Sequence, residues 1–237
     1  MKYFILFNLM NCLDLNLKVI KRPDVSLPNR NFNEIDMQGR NGKLVEDLGT
    51  YGDIKVSIEL NFIEKPKFFY DEVRKIMFWL SKRDDYTLTL ADDLEYYYKV
   101  KRLEYSDIER KLKVKGTFTL NFICEAFRYY RDNAIITITK NNYNFYSPNF
   151  AWDSEPVLKI YGSGNITLTI NSNNILLNGV SSNIILDSVL KETYSNTYEN
   201  LNNKMSGEFP VLINGVNTIN WIGNITKIEL VPNWRCL

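Results

Sequence analysis

The sequence predicts a mainly β protein with one packed helix, divided into two domains, and three observations carry that expectation. Residues 54–62 alternate strictly, with Ile54, Val56, Ile58, Leu60 and Phe62 against Lys55, Ser57, Glu59 and Asn61, the period of a strand with one buried and one wet face. Phe69, Val73, Ile76, Met77 and Leu80 recur at helical spacing, with Asp71, Glu72, Arg74, Lys75 and Lys82 largely opposite. Beyond residue 140 the charge thins from 24 Lys+Arg and 21 Asp+Glu before that point to 5 and 7 after it, while Asn and Gly turn signals recur about every ten residues, the rhythm of a β-sandwich. The change in composition marks a boundary near 137.

The elements follow in order. Residues 3–7 are apolar, but Asn8, Asn11 and Asp14 interrupt the run before it reaches the roughly seven to fifteen residues of a signal-peptide core, so the chain is expected to stay soluble where it is made. No run approaches the roughly 20 apolar residues of a membrane span, which argues against membrane insertion. Leu15, Leu17 and Val19 alternate as a first strand. An extended arm follows, carrying Arg22-Pro23, Pro28 and Arg30; prolines lack an amide donor and suit an edge or a crossing arm. Asn41-Gly42 accepts positive φ at both positions and suits a two-residue hairpin between 35–37 and 44–48. After the alternating strand, Pro66 can open the helix, expected over about 67–83.

A hairpin of 86–90 against 96–105, turning at Asp92-Asp93, comes next. A long strand then carries Leu112, Val114, Phe118, Leu120, Phe122 and Cys124 on one face and Lys111, Lys113, Lys115, Thr117 and Thr119 on the other, with Gly116 as a bulge or bend. In the second domain the expected strands are 158–161, 166–170, 175–177, 184–186, 211–213, 219–222 and 225–231. Turns are expected at Gly162-Ser163-Gly164, Asn173-Asn174, Asn178-Gly179, Asn214-Gly215 and Gly223-Asn224, and a loop or short helix at 195–206.

Composition removes several chemistries. With no His, neither a Ser-His-Asp nor a Cys-His site nor any His-ligated metal can form. Cys12, Cys124 and Cys236 are far apart and odd in number, which indicates buried thiols rather than a zinc motif or a disulfide framework. Asp84-Asp85 and Asp92-Asp93 are the acid/base candidates, read as solvated turn residues; the lysine row reads as a wet or protected strand face. A net charge of +1 gives no field to recruit nucleic acid, and no sequence-specific binding to it is expected. Aromatic residues gather late in the chain, and Tyr143, Phe145 and Tyr146, expected in a loop, are the candidates for stacking on a glycan.

Two sets of motifs carry a resemblance. Arg22-Pro23 and Pro28-x-Arg30, then Gly39-Arg40-x-Gly42, then Tyr51-Gly52-Asp53 leading into an alternating strand is similar to the N-terminal domain of distal tail proteins of long-tailed (siphovirus) bacteriophages. Phe209-Pro210-x-Leu212, Asn214-Gly215-x-Asn217-x-Ile219 and Pro232-Asn233-Trp234-Arg235 resemble that family's C-terminal signature, with Asn233 standing where a basic residue often precedes the Trp. The resemblance implies a tail-tube-type, barrel- or sandwich-like domain over 1–137 and a galectin-like β-sandwich, similar to carbohydrate-binding modules, over 138–237. It also implies a structural protein without cofactor or catalysis, made and assembled in the host cytoplasm. That protein would form a homohexameric ring at the virion tail tip, joining the tail tube protein to the tail-tip or tail-associated lysin protein and the receptor-binding protein. Arg22, Pro23, Pro28, Arg30, Gly39, Arg40 and Gly42 are then expected at subunit and tube contacts, and host cell-wall polysaccharide as a further partner. The rival expectation is a monomeric carbohydrate-binding protein or adhesin.

Overall fold

The computed structural model describes residues 2–111 and 113–237; Leu112, expected within a long strand, lies outside the described residues. The chain forms two units, divided between Arg131 and Asp132.

In the first unit the N-terminal apolar run is a core strand, β1 (Ile5–Phe7), turning through Asn8 and Leu9 into β2 (Met10–Asn11). Leu15 and Leu17 are buried as expected, but Cys12–Leu15 is a 3-10 turn and only β3 (Lys18–Val19) is strand. The side chain of Asn11 accepts from the Leu13 amide and so opens that turn, a local bond that competes with extended structure. The next two strands, β4 (Arg30–Ile35) and β5 (Leu44–Tyr51), pair only with each other, and β6 (Ile54–Ile63) then alternates buried and exposed along its length as the sequence predicts.

Helix α1 spans Phe69–Ser81, with Pro66 in the turn before it. Its buried face is Phe69, Glu72, Ile76, Trp79 and Leu80, so the stripe is rotated from the expected one: Met77 is exposed and Glu72, expected opposite, is buried. Trp79 turns the helix this way because its Nε1 donates to the Phe7 carbonyl at 2.9 Å and its ring meets Phe7 edge-on at 5.8 Å. The hairpin of β7 (Thr87–Leu90) and β8 (Tyr96–Tyr105) stands as read. The expected strand through the lysine row does not. The row is divided between β9 (Glu109–Lys111) and β10 (Lys115–Tyr130), which pair with each other, and Lys113 lies in the connection.

Across the sheet the order is β2-β1-β7-β8-β10-β6-β3. Its apolar face, with Phe7, Ile58, Leu60, Phe62, Leu120 and Phe122, closes a core against α1. Gly116 is in continuous register with Phe62 and is no bulge; a Cβ there would run into the Phe62 ring. The irregular register lies instead between Ile123 and Arg128, where β10 pairs β8.

The second unit is an eight-stranded sheet. Its strands are β11 (Ile136–Ile138), β12 (Tyr143–Tyr146), β13 (Val157–Ile170), β14 (Asn173–Val180), β15 (Asn183–Asp187), β16 (Glu192–Tyr194), β17 (Met205–Ser206) and β18 (Val216–Val231). Since β11 already pairs β18, the division falls ahead of residue 137. The expected strands 158–161 and 166–170 are one strand, as are 219–222 and 225–231, and their supposed turns are shifts of register within the β13–β18 pair. Close approach requires the glycines: a Cβ on Gly162 would strike the Asn224 carbonyl, and one on Gly223 would come within 2.6 Å of the Asn165 carbonyl. Beyond these breaks each long strand changes neighbours, β13 from β15 to β14 and β18 from β12 to β11, so one sheet is bent into two halves. Leu158, Ile160, Leu168, Ile175, Ile184 and Leu230 are fully buried between them.

Candidate functional site

Among the described residues, the candidate carboxylate pairs lie apart from one another. Asp92 pairs with Arg22 at 3.3 Å and Asp93 with Arg128 at 3.5 Å. Asp85 lines a groove of about 500 Å³ with Thr87, Tyr97 and Arg131, and Arg131 donates to Thr89 there at 2.7 Å. The groove has no second carboxylate and no activated nucleophile. Among the described residues no group of Cys, Asp and Glu is placed to hold a metal ion, and no helix is long and apolar enough to cross a membrane. The three cysteines are buried and form no disulfide among the described residues, and burial pushes Cys124 up to about 12 and raises Cys12. These thiols are core side chains.

The residues that do come together are those of the arm. Between Ile20 and Asn29 the chain runs without strand partners, tied by the Arg22–Asp92 pair, by Arg22 over the Tyr3 ring at 5.4 Å, and by Ser26 Oγ donating to the Lys55 carbonyl. It then leaves the core as the β4–β5 hairpin. The base closes where the Gly52 amide donates to the Asn29 carbonyl at 2.8 Å and Arg30 pairs with Asp47 at 2.9 Å beneath the Tyr51 ring. The expected two-residue turn at Asn41-Gly42 is not made. Ile35 faces Leu44, and the tip between them is an eight-residue loop, 36–43, in which Arg40 donates to the Met37 carbonyl and Gly39 and Gly42 take φ of +81° and +83°.

The hairpin's side chains are its unusual feature. Phe32 (53%), Val45 (57%) and Leu48 (51%) stand in solvent on strands that pair with no other sheet, Met37 (48%) does so in the tip loop, and Val25 (75%) and Leu27 (78%) continue the row along the arm. A lone two-stranded ribbon is marginally stable in water at best, and a run of exposed apolar side chains of this extent marks an interaction surface. Arg22, Pro23 and Pro28 lie on the tied arm, and Arg30, Gly39, Arg40 and Gly42 on the hairpin. Beside the arm, β3 pairs with β6 only at Asn61 and Leu60; beyond it the Ile20 amide donates to the Glu59 carbonyl at 2.9 Å and Ser26 to the Lys55 carbonyl, so the arm, and no strand among the described residues, lies along 54–59.

The structure divides the predicted aromatic cluster: Tyr143 and Phe145 stack at 6.1 Å between ring centroids, and Tyr146 faces solvent. Tyr143–Tyr146 is a strand, β12, not a loop; Phe145 is buried against Trp234 at 6.4 Å between ring centroids, Tyr143 is half-buried, and only Tyr146 is exposed. The C-terminal motifs serve the fold of this unit. Asn217, fully buried, accepts from the Ile213 amide and donates to the Ile213 carbonyl, both at 2.9 Å, so it shapes the turn before β18. Asn233 accepts from Asn133 and donates to the Glu155 carbonyl, and Arg235 Nε donates to the Asp153 carbonyl at 2.7 Å. Sequence reasoning passed over a second aromatic pair, Tyr194 and Tyr198, stacked at 5.7 Å; Tyr194 ends β16 and Tyr198 lies in the stretch 195–206, read as a loop or short helix, and their spacing of four gives no sign that they meet outside a helix.

Residues 8–126 match the model of the phage tail protein N-terminal domain. Among solved structures, the crystal structure of the SPP1 Dit protein (gp 19.1), described as a paradigm of the hub adsorption apparatus in phages infecting Gram-positive bacteria, aligns over 100% of both chains with a TM-score of 0.73 and 12% sequence identity. At that identity the likeness establishes the fold. No curated protein sequence matches the chain.

Proposed function

The chain belongs to the family of phage tail proteins defined by this N-terminal domain, and on that premise we propose that it is a tail-tip hub whose activity is assembly. Copies join through the first unit into a closed ring of six, as the distal-tail resemblance implies. The ring carries the tail tube protein on one side and the tail-tip and receptor-binding proteins on the other, and the second unit meets host cell-wall polysaccharide. Assembly takes place in the host cytoplasm, and the finished ring resides at the tail tip.

The observation that carries this reading is the exposed apolar hairpin, residues 30–51, with the arm that leads to it. A ring requires a heterologous patch, one surface reaching a different surface on the next copy. The protruding ribbon supplies one such surface and the exposed arm beside β6 a second. Arg22, Pro23, Pro28, Arg30, Gly39, Arg40 and Gly42 are the proposed contacts, the glycines and prolines fixing the ribbon's path and the arginines its polar register. Near-balanced charge up to residue 140, 24 basic against 21 acidic residues, suits a channel wall that lets DNA pass without holding it. A monomeric adhesin, the rival, gives no reason to keep Phe32, Val45 and Leu48 in water.

The test is excision. Asn29 and Gly52 are already hydrogen-bonded, so residues 31–50 can be replaced by a short Gly-Ser linker without opening the core. The full chain is expected to form rings in negative-stain images and the excised chain to remain a folded monomer. Rings of unchanged size from the excised chain contradict the proposal.

A further inference from the structure

On the second unit, the loop after β16 holds an aromatic platform that its own packing does not explain. Tyr194 and Tyr198 stack with planes 19° apart, and Tyr198 is 84% exposed, so one face of its ring stands open to water. Its backbone lies at φ +60°, a region that bulky side chains rarely adopt. The loop is held in that form by its own hydrogen bonds. Ser195 Oγ accepts from the amides of Thr197 and Glu199, the Tyr198 amide donates to the Ser195 carbonyl at 3.0 Å, and the Ser195 amide donates to the Glu199 carbonyl at 2.9 Å. The Tyr194 hydroxyl donates to Asp187 at 3.4 Å; Asp187 is fixed in turn by the Val189 and Leu190 amides. The platform is therefore ordered before anything binds, which lowers the cost of binding.

Beside it lies a groove of about 490 Å³, within the roughly 300–1,000 Å³ of small-ligand sites. Val157, Ile185 and Val231 form its floor, and Lys159, Asn196 and Glu229 supply polar groups. Glu229 is held in place by the Tyr161 hydroxyl at 2.9 Å and by Lys227 at 2.7 Å, and these bonds hold its carboxyl below the usual range. An open ring face beside an amide, a cation and a fixed carboxylate matches one chemistry well. A pyranose offers a face of C–H bonds to stack on the ring and a rim of hydroxyls, each both donor and acceptor, for the polar groups. A nucleic acid finds little positive charge here: Lys227 is paired with Glu229, which leaves Lys159 as the one cation lining the groove.

We propose that the groove between Tyr198 and Glu229 is a binding site for a hexopyranose oligosaccharide, separate from the β12 aromatics. This rests on the reading that the second unit meets polysaccharide and says where. The test uses the full chain and three probes, cellotetraose, chitotetraose and maltotetraose, followed by saturation-transfer NMR. At least one is expected to bind with Kd of about 1 mM or tighter. Tyr198→Asn, which removes the ring yet accepts positive φ, is expected to weaken that binding at least about tenfold, and Tyr146→Ala to leave it unchanged. The site is overturned if no probe binds, if Tyr198→Asn binds as the parent does, or if Tyr146→Ala alone removes binding. Ring formation measured on the same samples separates the two readings: a chain that forms rings and binds no probe keeps the hub and loses the groove.

Discussion

Gly116 has no room for a side chain, because its backbone lies against the Phe62 ring and beside Ile108. Gly116→Ala is expected to cost about 1–3 kcal/mol of stability through overpacking, measured by urea unfolding; an unchanged midpoint would show that Phe62 can move aside. Burial keeps the Cys124 thiol protonated in the folded chain, its pKa raised from 9.0 to about 12. The unfolded chain therefore loses that proton first as pH rises, and stability present below pH 9 falls between pH 9 and 12. Unfolding measured across that window in the parent and in Cys124→Ala should show a shallower decline in the variant. The sequence pointed to buried thiols, since three distant cysteines suit no other role, but it misread Gly116 as a bend. A glycine that bends a strand and a glycine that makes room for a neighbour's ring look the same until the neighbour is known.

At the scale of the element, one short turn fixes the helix. Asn8, at φ +51°, sends its side-chain amide to the Trp79 carbonyl at 3.1 Å and the Lys82 carbonyl at 2.6 Å, closing the C-terminal end of α1. Asn8→Ala loses both bonds and strains the turn, with an expected cost of about 1–3 kcal/mol. Asn8→Gly keeps the turn and should lose less, and equal losses from the two would remove the strain component. Strand β6 and helix α1 were legible because their periods of two and 3.6 run long enough to be unambiguous. The helix face was legible only in part, because Trp79 answers to a carbonyl on β1 that no helical pattern records. The long strands β13 and β18 were each read as two because Gly162-Ser163-Gly164 and Gly223-Asn224 carry the same residues whether the chain turns or merely shifts register. The aromatic site divided for a related reason: alternation within β12 turns Phe145 inward and Tyr146 outward.

For the whole molecule, each of the two units buries apolar residues of its own, and the arm and hairpin are among the apolar surface they leave open. Burying Phe32, Val45 and Leu48 against another chain would contribute roughly 1.5–3 kcal/mol for each side chain fully covered, to be set against an association cost of about 4–15 kcal/mol. The order of turn residues from Arg22 to Gly42 was legible as a resemblance, but that β4 and β5 pair only with each other was not, since exposure depends on what the rest of the chain covers. Charge at the hairpin base gives a finer test. Arg30→Ala frees Asp47 at an exposed pair, so the monomer should lose under about 1 kcal/mol, while ring assembly, read by sedimentation, should weaken markedly; rings as stable as the parent's would remove Arg30 from the interface.

The central claim is tested most directly by the mass of the assembly in solution. Sedimentation of the full chain beside the chain with residues 31–50 replaced by a linker is expected to give a closed oligomer for the first and a folded monomer for the second. A monomeric full chain, or the same oligomer from both, would contradict it.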